Sequence, residues 1–284
     1  MIEPLLADAA LLDDIEAAPQ DHLLFHLWWL GQSGFLLQWN GSRLVFDPYL
    51  SEALTAKYAD TSTPHVRISR RTIDPARLRS VTLVTSSHHH TDHLDRETLV
   101  PLLATNPDAA LVAPRAWREL AASRIAPHER RLRPIDAGES AKIGPWQVSA
   151  LPAAHERVEQ DPEGFHRYLG YIVRFGEFAV YHAGDTVRYE GQAERLRAEG
   201  IDIAMLPING RDPSRGVPGN MSGAEAARLA HDAAVRAAVP CHFDLFAFNT
   251  APPDTFMQTA ANLGQRVRLL KMGERFEWIA RRAS

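Results

Sequence analysis

The sequence predicts an α/β fold in which strand ends converge on one site, and three observations carry that expectation. Strands arranged as hairpins open the chain, strands then alternate with helical segments, and four apolar runs each end in a metal-ligand side chain. Those runs are Thr85-Ser86 into His88, Leu151-Pro152 into His155, Tyr181 into Asp185, and Val239-Pro240 into His242. Strand ends lie along one edge of a sheet, so loops leaving them can meet at one point.

In chain order, "MIEPLLADAALLDDIEAA" reads as a short amphipathic helix, and residues 1–22 as a helical extension ahead of a single domain over 23–284. "LLFHLWWL" (23–30) and "GFLLQW" (34–39) are followed by the hairpin signal Asn40-Gly41 and then by "RLVFDPYL" (43–50), so three antiparallel strands open the domain. "SVTLVTS" (80–86) is a β-branched run ending at "SSHHHTDHLD" (86–95), and "RETLVPLLAT" (96–105) behind it has helical spacing. "AALVAP" (109–114) and "PRAWRELAAS" (114–123) repeat strand then helix, and "AKIGPWQVSALPAAH" (141–155) holds a strand that runs into His155. "YLGYIVRF" (168–175) and "EFAVYHAGD" (177–185) form a second hairpin about Gly176. "DIAMLPI" (202–208), a helix over 222–238 and "VPCHFD" (239–244) complete the alternation, with no short repeat, low-complexity tract or linker.

Composition narrows the function classes. At 284 residues, 45% hydrophobic and 23% charged, the chain is long enough to bury a sizeable core. A net charge of −4 gives no global basic field, which argues against nucleic-acid polymers as partners. No run of 18 apolar residues occurs, and the N-terminus is acidic before its apolar positions, so neither a membrane span nor a signal peptide is expected and the location read from sequence is cytoplasmic. The single cysteine, Cys241, cannot form an internal disulfide and reads as a small core residue, leaving metal ligation to His and Asp. The apolar N-terminal helix is a possible contact in a homo-oligomer.

The chemistry concentrates in residues 86–95, where four histidines and two aspartates share ten positions. On an extended loop His88 and His90 project to one side and can hold one cation, while Asp92 and His93 sit further round the turn, giving two pairs and hence two cations. His89 points the other way and is not expected to ligate. Protonated together these imidazoles would repel severely, and a bound cation removes that problem. His22, His26, His65, His128 and His231 read as ordinary surface or core histidines.

His88-His89-His90-Thr91-Asp92-His93 resembles the H-x-H-x-D-H signature of the metallo-β-lactamase superfamily, and "PAAH", "HAGDT" and "PCHFD" fall where its remaining ligands occur. The resemblance spans nearly the whole chain. It implies a four-layer αββα sandwich of two mixed β-sheets flanked by helices. It also implies a first cation on His88, His90 and His155, a second on Asp92, His93 and His242, with Asp185 bridging, and Asp47 of "FDP" supporting the ligand loop from behind. "WWLGQSGFLL", "FDPYL", "LPINGRD", "GNM" and "PCHFDLFAFN" narrow the resemblance to the subgroup around L-ascorbate-6-phosphate lactonases. The chain stops soon after "RFEWI", without the long C-terminal addition known in some lactonases.

The implied chemistry is that of a di-metal hydrolase. A water shared by two divalent cations has its pKa lowered from 15.7 toward about 7, which supplies hydroxide at neutral pH without a serine or cysteine nucleophile. Asp92, beside that water, is the expected catalytic side chain. Zn²⁺ suits the His/Asp set, and Mn²⁺ or Fe²⁺ suits it too. A small anionic ester or lactone, such as a phosphorylated sugar lactone, is the expected substrate, and a small or cyclic nucleotide phosphodiester the alternative. The loop "LPINGRDPSRGVPGNMS" (206–222) is expected at the site mouth, with Arg211 and Arg215 either clamping an anion or lying as ordinary surface arginines. Asn220 and His182 are further expected substrate contacts, with His166 and Tyr189 near enough to be considered.

Overall fold

A computed structural model describes residues 1–280, in which two mixed sheets pack face to face and a separate two-stranded hairpin holds the remaining strands. The strands are β1 (Leu24–Gly31), β2 (Gly34–Trp39), β3 (Ser42–Phe46), β4 (Val81–Thr85), β5 (Ala110–Pro114), β6 (Leu132–Ile135), β7 (Ser140–Ile143) and β8 (Trp146–Pro152). They continue with β9 (Ala154–His155), β10 (Arg157–Val158), β11 (Leu169–Phe175), β12 (Phe178–His182), β13 (Ile203–Pro207), β14 (Ala237–Cys241) and β15 (Arg275–Ile279). The first sheet runs β15-β1-β2-β3-β4-β5-β6, antiparallel up to β3 and parallel beyond it. The second runs β14-β13-β12-β11-β8-β7, parallel over its first three strands and antiparallel after them.

Period-two alternation decides which side chains meet between the sheets. Phe25, Leu27 and Trp29 of β1, Phe35 and Leu37 of β2, and Leu44 and Phe46 of β3 join Val148, Tyr171 and Val173 of the second sheet in one buried core. Trp28, Leu30, Leu36 and Val45 point the other way, into a layer covered by helices α1 (Asp8–Ala17), with α2 (Ala53–Tyr58) lying elsewhere, α3 (Arg96–Thr105) and α4 (Arg118–Ile125). Leu11 and Ile15 of α1 are fully buried there, and Trp28 donates its indole N–H to Asp14 at 2.8 Å. Helices α5 (Gln192–Glu199), α6 (Gly223–Asp232) and α7 (Asp254–Leu263) cover the second sheet through Leu196, Leu229 and Phe256. Each fully buried Leu or Phe contributes about 1.5–3 kcal/mol, so these layers carry the fold.

The three opening strands and the Gly176 hairpin form as the sequence predicts, the first turning through Asn40 and Gly41 in left-handed conformations. Segment 141–155 differs: β7 and β8 fold back about Gly144 at φ +56°, and a third, short strand, β9, ends at His155. The edge strand β6 and helix α5 carry too little apolar periodicity to be read beforehand. The helix expected over 222–238 stops at Asp232, and the chain turns at Ala234 so that Ala237 and Ala238 already belong to β14. Among the described residues no helix is long and apolar enough to cross a membrane.

Candidate metal centre

Loops from both sheets deliver the ligand-type side chains to one point. His88, His90, Asp92 and His93 lie between β4 and α3, His155 ends the β8–β9 segment, Asp185 follows β12, and His242 follows β14. Asp95 caps α3, accepting from Glu97 and Thr98 backbone N–H groups, and so fixes where the histidine loop ends. Gly184 lets the Asp185 loop close down: at φ +60°, a Cβ there would sit 2.5 Å from Ser87 Cβ.

Three sets of residues bring one donor atom each within 4.8 Å of the others: His88, His90 and His155; His88, His93 and Asp185; and Asp92, His93 and His242. His88 Nε2 faces His90 Nδ1 at 2.9 Å, and Asp185 lies between the halves, 3.3 Å from His93 Nε2, 3.7 Å from His155 Nε2 and 3.2 Å from His242 Nε2. His93 Nε2 and Asp185 Oδ1 are buried without a hydrogen-bond partner. Orphaned buried polar atoms are costly, and a nitrogen and carboxylate donor set at this spacing fits divalent cations of the zinc type.

Contacts behind the ligands select which ring nitrogen faces inward. Asp47, at the end of β3 in a left-handed conformation, accepts from Ser87 N at 3.0 Å, from Ser87 Oγ, and from His93 Nδ1 at 2.7 Å. Ser87 Oγ, its proton given to Asp47, accepts from His88 Nδ1 at 3.0 Å. His155 Nδ1 donates to Gly219 O at 3.1 Å. Each bond turns an Nε2 lone pair toward the centre.

Burial pushes the His88 ring well below its usual range, lowers His155, and brings His90 down to about 4, so these rings are neutral donors. For Asp185 burial acts the other way, but the adjacent His242 and His93 outweigh it and hold the carboxyl well below the usual range. His93 is driven up, against its burial, by Asp185 and Asp92. The acids therefore demand positive charge here, which a cation meets better than one shared proton.

Residues 42–243 match the Beta-lactamase superfamily domain. The chain belongs to the metallo-β-lactamase superfamily. A "UPF0173 metal-dependent hydrolase" of Opitutus terrae is 30% identical over 257 residues, covering 88% of this chain and 99% of that protein, and the chain is a metal-dependent hydrolase of that family. Among solved structures, an isothiocyanate hydrolase from Delia radicum gut bacteria superposes with a TM-score of 0.71 at 18% identity, covering 90% of this chain and 99% of that one. A metallo hydrolase from Ignicoccus hospitalis superposes with a TM-score of 0.66 at 21% identity, covering 91% and 100%.

Within this metallo-β-lactamase scaffold a cavity of about 270 Å³ opens onto the centre, with His90, Asp92, His155, Asp185 and His242 on its floor. The same cavity is lined by Leu54, Tyr58, Phe246 and Phe248 and by the cations Lys57 and Arg124, the latter donating to the carbonyls of His89 and Leu94. His65 stacks on Tyr58 at 4.1 Å and tilts against Phe248 at 4.4 Å. Lys57 lies 5.0 Å above the Tyr58 ring and, among the described residues, has no carboxylate partner.

The expected substrate contacts are placed elsewhere. Arg211 pairs with Glu225, the glutamate that completes the capping box with Ser222 at the start of α6, and does not line the cavity. Arg215 donates to the carbonyl of Asn209 in its own loop and to that of Thr250 in the segment after β14. Asn220 is fully buried and donates to Asn209 Oδ1 at 3.0 Å. His182 is fully buried beneath the site, stacked on Phe46 and bonded to Ser33 O at 2.8 Å. Tyr189 donates to Pro152 O, and His166 pairs with Asp136. His89 stacks on Trp117 at 4.0 Å and belongs to none of the three donor sets. Sequence reasoning read His65 as an ordinary histidine and did not single out Lys57, Tyr58, Phe246 or Phe248, because residues 57–65 and 246–248 meet only in the folded chain. It also passed over Gln32, whose amide reaches Asp92 and His242.

Proposed function

We propose that the protein is a di-metal hydrolase of small anionic esters or lactones that carry a flat apolar body. His88, His90 and His155 would hold a first cation and Asp92, His93 and His242 a second, with Asp185 within reach of both sets. Divalent cations, Zn²⁺ in the leading assignment and Mn²⁺ or Fe²⁺ as alternatives, supply Lewis acidity and acidify water at neutral pH. The chain's own residues do the rest. Tyr58, His65, Phe246 and Phe248 receive the apolar body and exclude water, and Lys57 meets the anionic group. Asp92, the most exposed of the ligand-type carboxylates at 15%, faces the cavity, where it orients the attacking water and accepts its proton.

The observation that carries this reading is that one small cavity joins a polar donor set to aromatic side chains and to two cations, Lys57 and Arg124, neither paired with a carboxylate among the described residues. The testing experiment is a screen of the zinc-reconstituted protein against aryl esters, lactones, phosphorylated lactones and phosphodiesters. An isothiocyanate belongs in the panel because an isothiocyanate hydrolase shares the fold. Turnover greatest on anionic esters or lactones supports the reading, and turnover confined to phosphodiesters overturns its substrate half.

A further inference from the structure

Gln32 sits in the turn between β1 and β2, at φ +50°, a left-handed conformation that side-chain-bearing residues adopt only when their surroundings hold them there. Two donors hold it: the Trp29 indole N–H at 2.9 Å and the His242 backbone N–H at 3.0 Å both reach the Gln32 carbonyl. The side chain is 1% exposed and aimed at the metal centre. Its terminal nitrogen lies 2.9 Å from Asp92 Oδ2 and 3.1 Å from His242 Nε2, atoms themselves 3.7 Å apart. Its amide oxygen is buried with no hydrogen-bond partner.

With metal–ligand bonds of about 2.0–2.2 Å, donor atoms around one tetrahedral cation lie roughly 3.3–3.6 Å apart, and the three atoms here need shift by only about 0.4 Å or less to share one. Bound to a cation, His242 Nε2 has no lone pair left for an amide N–H, and an N–H aimed at the cation is repelled by it. Rotating the amide half a turn puts the unpartnered oxygen in the nitrogen's place, and the two ends are alike in size and shape.

We propose that Gln32 is a further ligand of the cation held by Asp92, His93 and His242, delivered through Oε1 once the amide has turned over. This rests on the di-metal reading above and adds to it a residue that ties the β1–β2 turn of one sheet to the His242 loop of the other. Loading the second cation then includes an amide rotation that the first does not.

The test is titration of metal-free protein with Co²⁺, followed by calorimetry and by the visible bands of the bound ion. Wild type shows two steps. Gln32→Ala weakens the second at least tenfold and changes its visible band while the first is unmoved, and the near-isosteric Gln32→Glu tightens the second. If both variants take the second Co²⁺ with wild-type affinity and spectrum, Gln32 is not a ligand and the inference falls alone. If Gln32→Glu weakens the second step as Gln32→Ala does, the amide N–H to Asp92 is what matters, and ligation is overturned. A wild type without a second step overturns this inference and the di-metal reading together.

Discussion

Asp47 Oδ2 accepts a hydrogen bond from His93 Nδ1 across 2.7 Å, with both side chains fully buried. The same carboxylate receives Ser87, whose hydroxyl in turn receives His88, so one aspartate orients a histidine of each proposed cation site. Removing it should therefore be felt at both. Asp47→Ala is expected to lower metal affinity and turnover by about ten- to a hundredfold, read by chelator competition and steady-state rate. Unchanged affinity would make Asp47 a packing residue of the β3 end only.

The two faces of the histidine run separate cleanly by substitution. His88→Ala removes a donor from two of the three ligand sets and should abolish turnover with loss of bound metal. His89→Ala removes only a ring stacked on Trp117 and should keep the wild-type metal content. Equal metal loss in both variants would contradict the ligand assignment.

Substrate anchoring is expected at Lys57 and not at Arg211. A charge-assisted hydrogen bond contributes about 1.5–3 kcal/mol, so Lys57→Ala should raise KM for an anionic ester about ten- to a hundredfold and leave a neutral analogue nearly unchanged. Arg211→Ala breaks an exposed pair with Glu225, worth at most about 1 kcal/mol of stability, and should leave kcat/KM close to wild type. A selective loss on anionic substrates in Arg211→Ala would return the anion site to the 206–222 loop.

The metal floor was legible in sequence because each ligand ends an apolar run, and strand ends share an edge by construction. The apolar alternation that placed β1 to β3 and the Gly176 hairpin was equally local. The substrate wall was not: Tyr58, His65 and Phe248 meet only through the tertiary fold, and none stands in a periodic run. Arg211 and His182 misled for a related reason. Proximity in sequence to a ligand loop does not say which way a side chain turns, and Glu225 and Ser33 O had already engaged them. Gln32 was hidden because a turn glutamine looks like solvent-facing polarity until the turn is seen aimed inward.

Acid should destabilise the protein through its core histidines. Burial lowers the His26 pKa below 6.5 although Pro19 O, at 3.0 Å, binds the ring. A histidine whose folded pKa is depressed binds fewer protons folded than unfolded, so its contribution is intact above about 6.5 and is lost as pH falls through the folded value. Thermal melts between pH 7 and pH 5 should therefore decline, and less steeply in His26→Gln. Identical slopes in the two proteins would mean that His26 takes no part.

Metal content measured alongside turnover tests the central claim most directly. Elemental analysis of protein reconstituted with Zn²⁺ and freed of excess should give two ions per chain. Chelation should abolish ester or lactone hydrolysis, and readdition of Zn²⁺ should restore it in proportion to bound metal. Hydrolysis that persists at full rate in protein shown to hold no metal, or a reconstituted chain that retains none, would contradict the account.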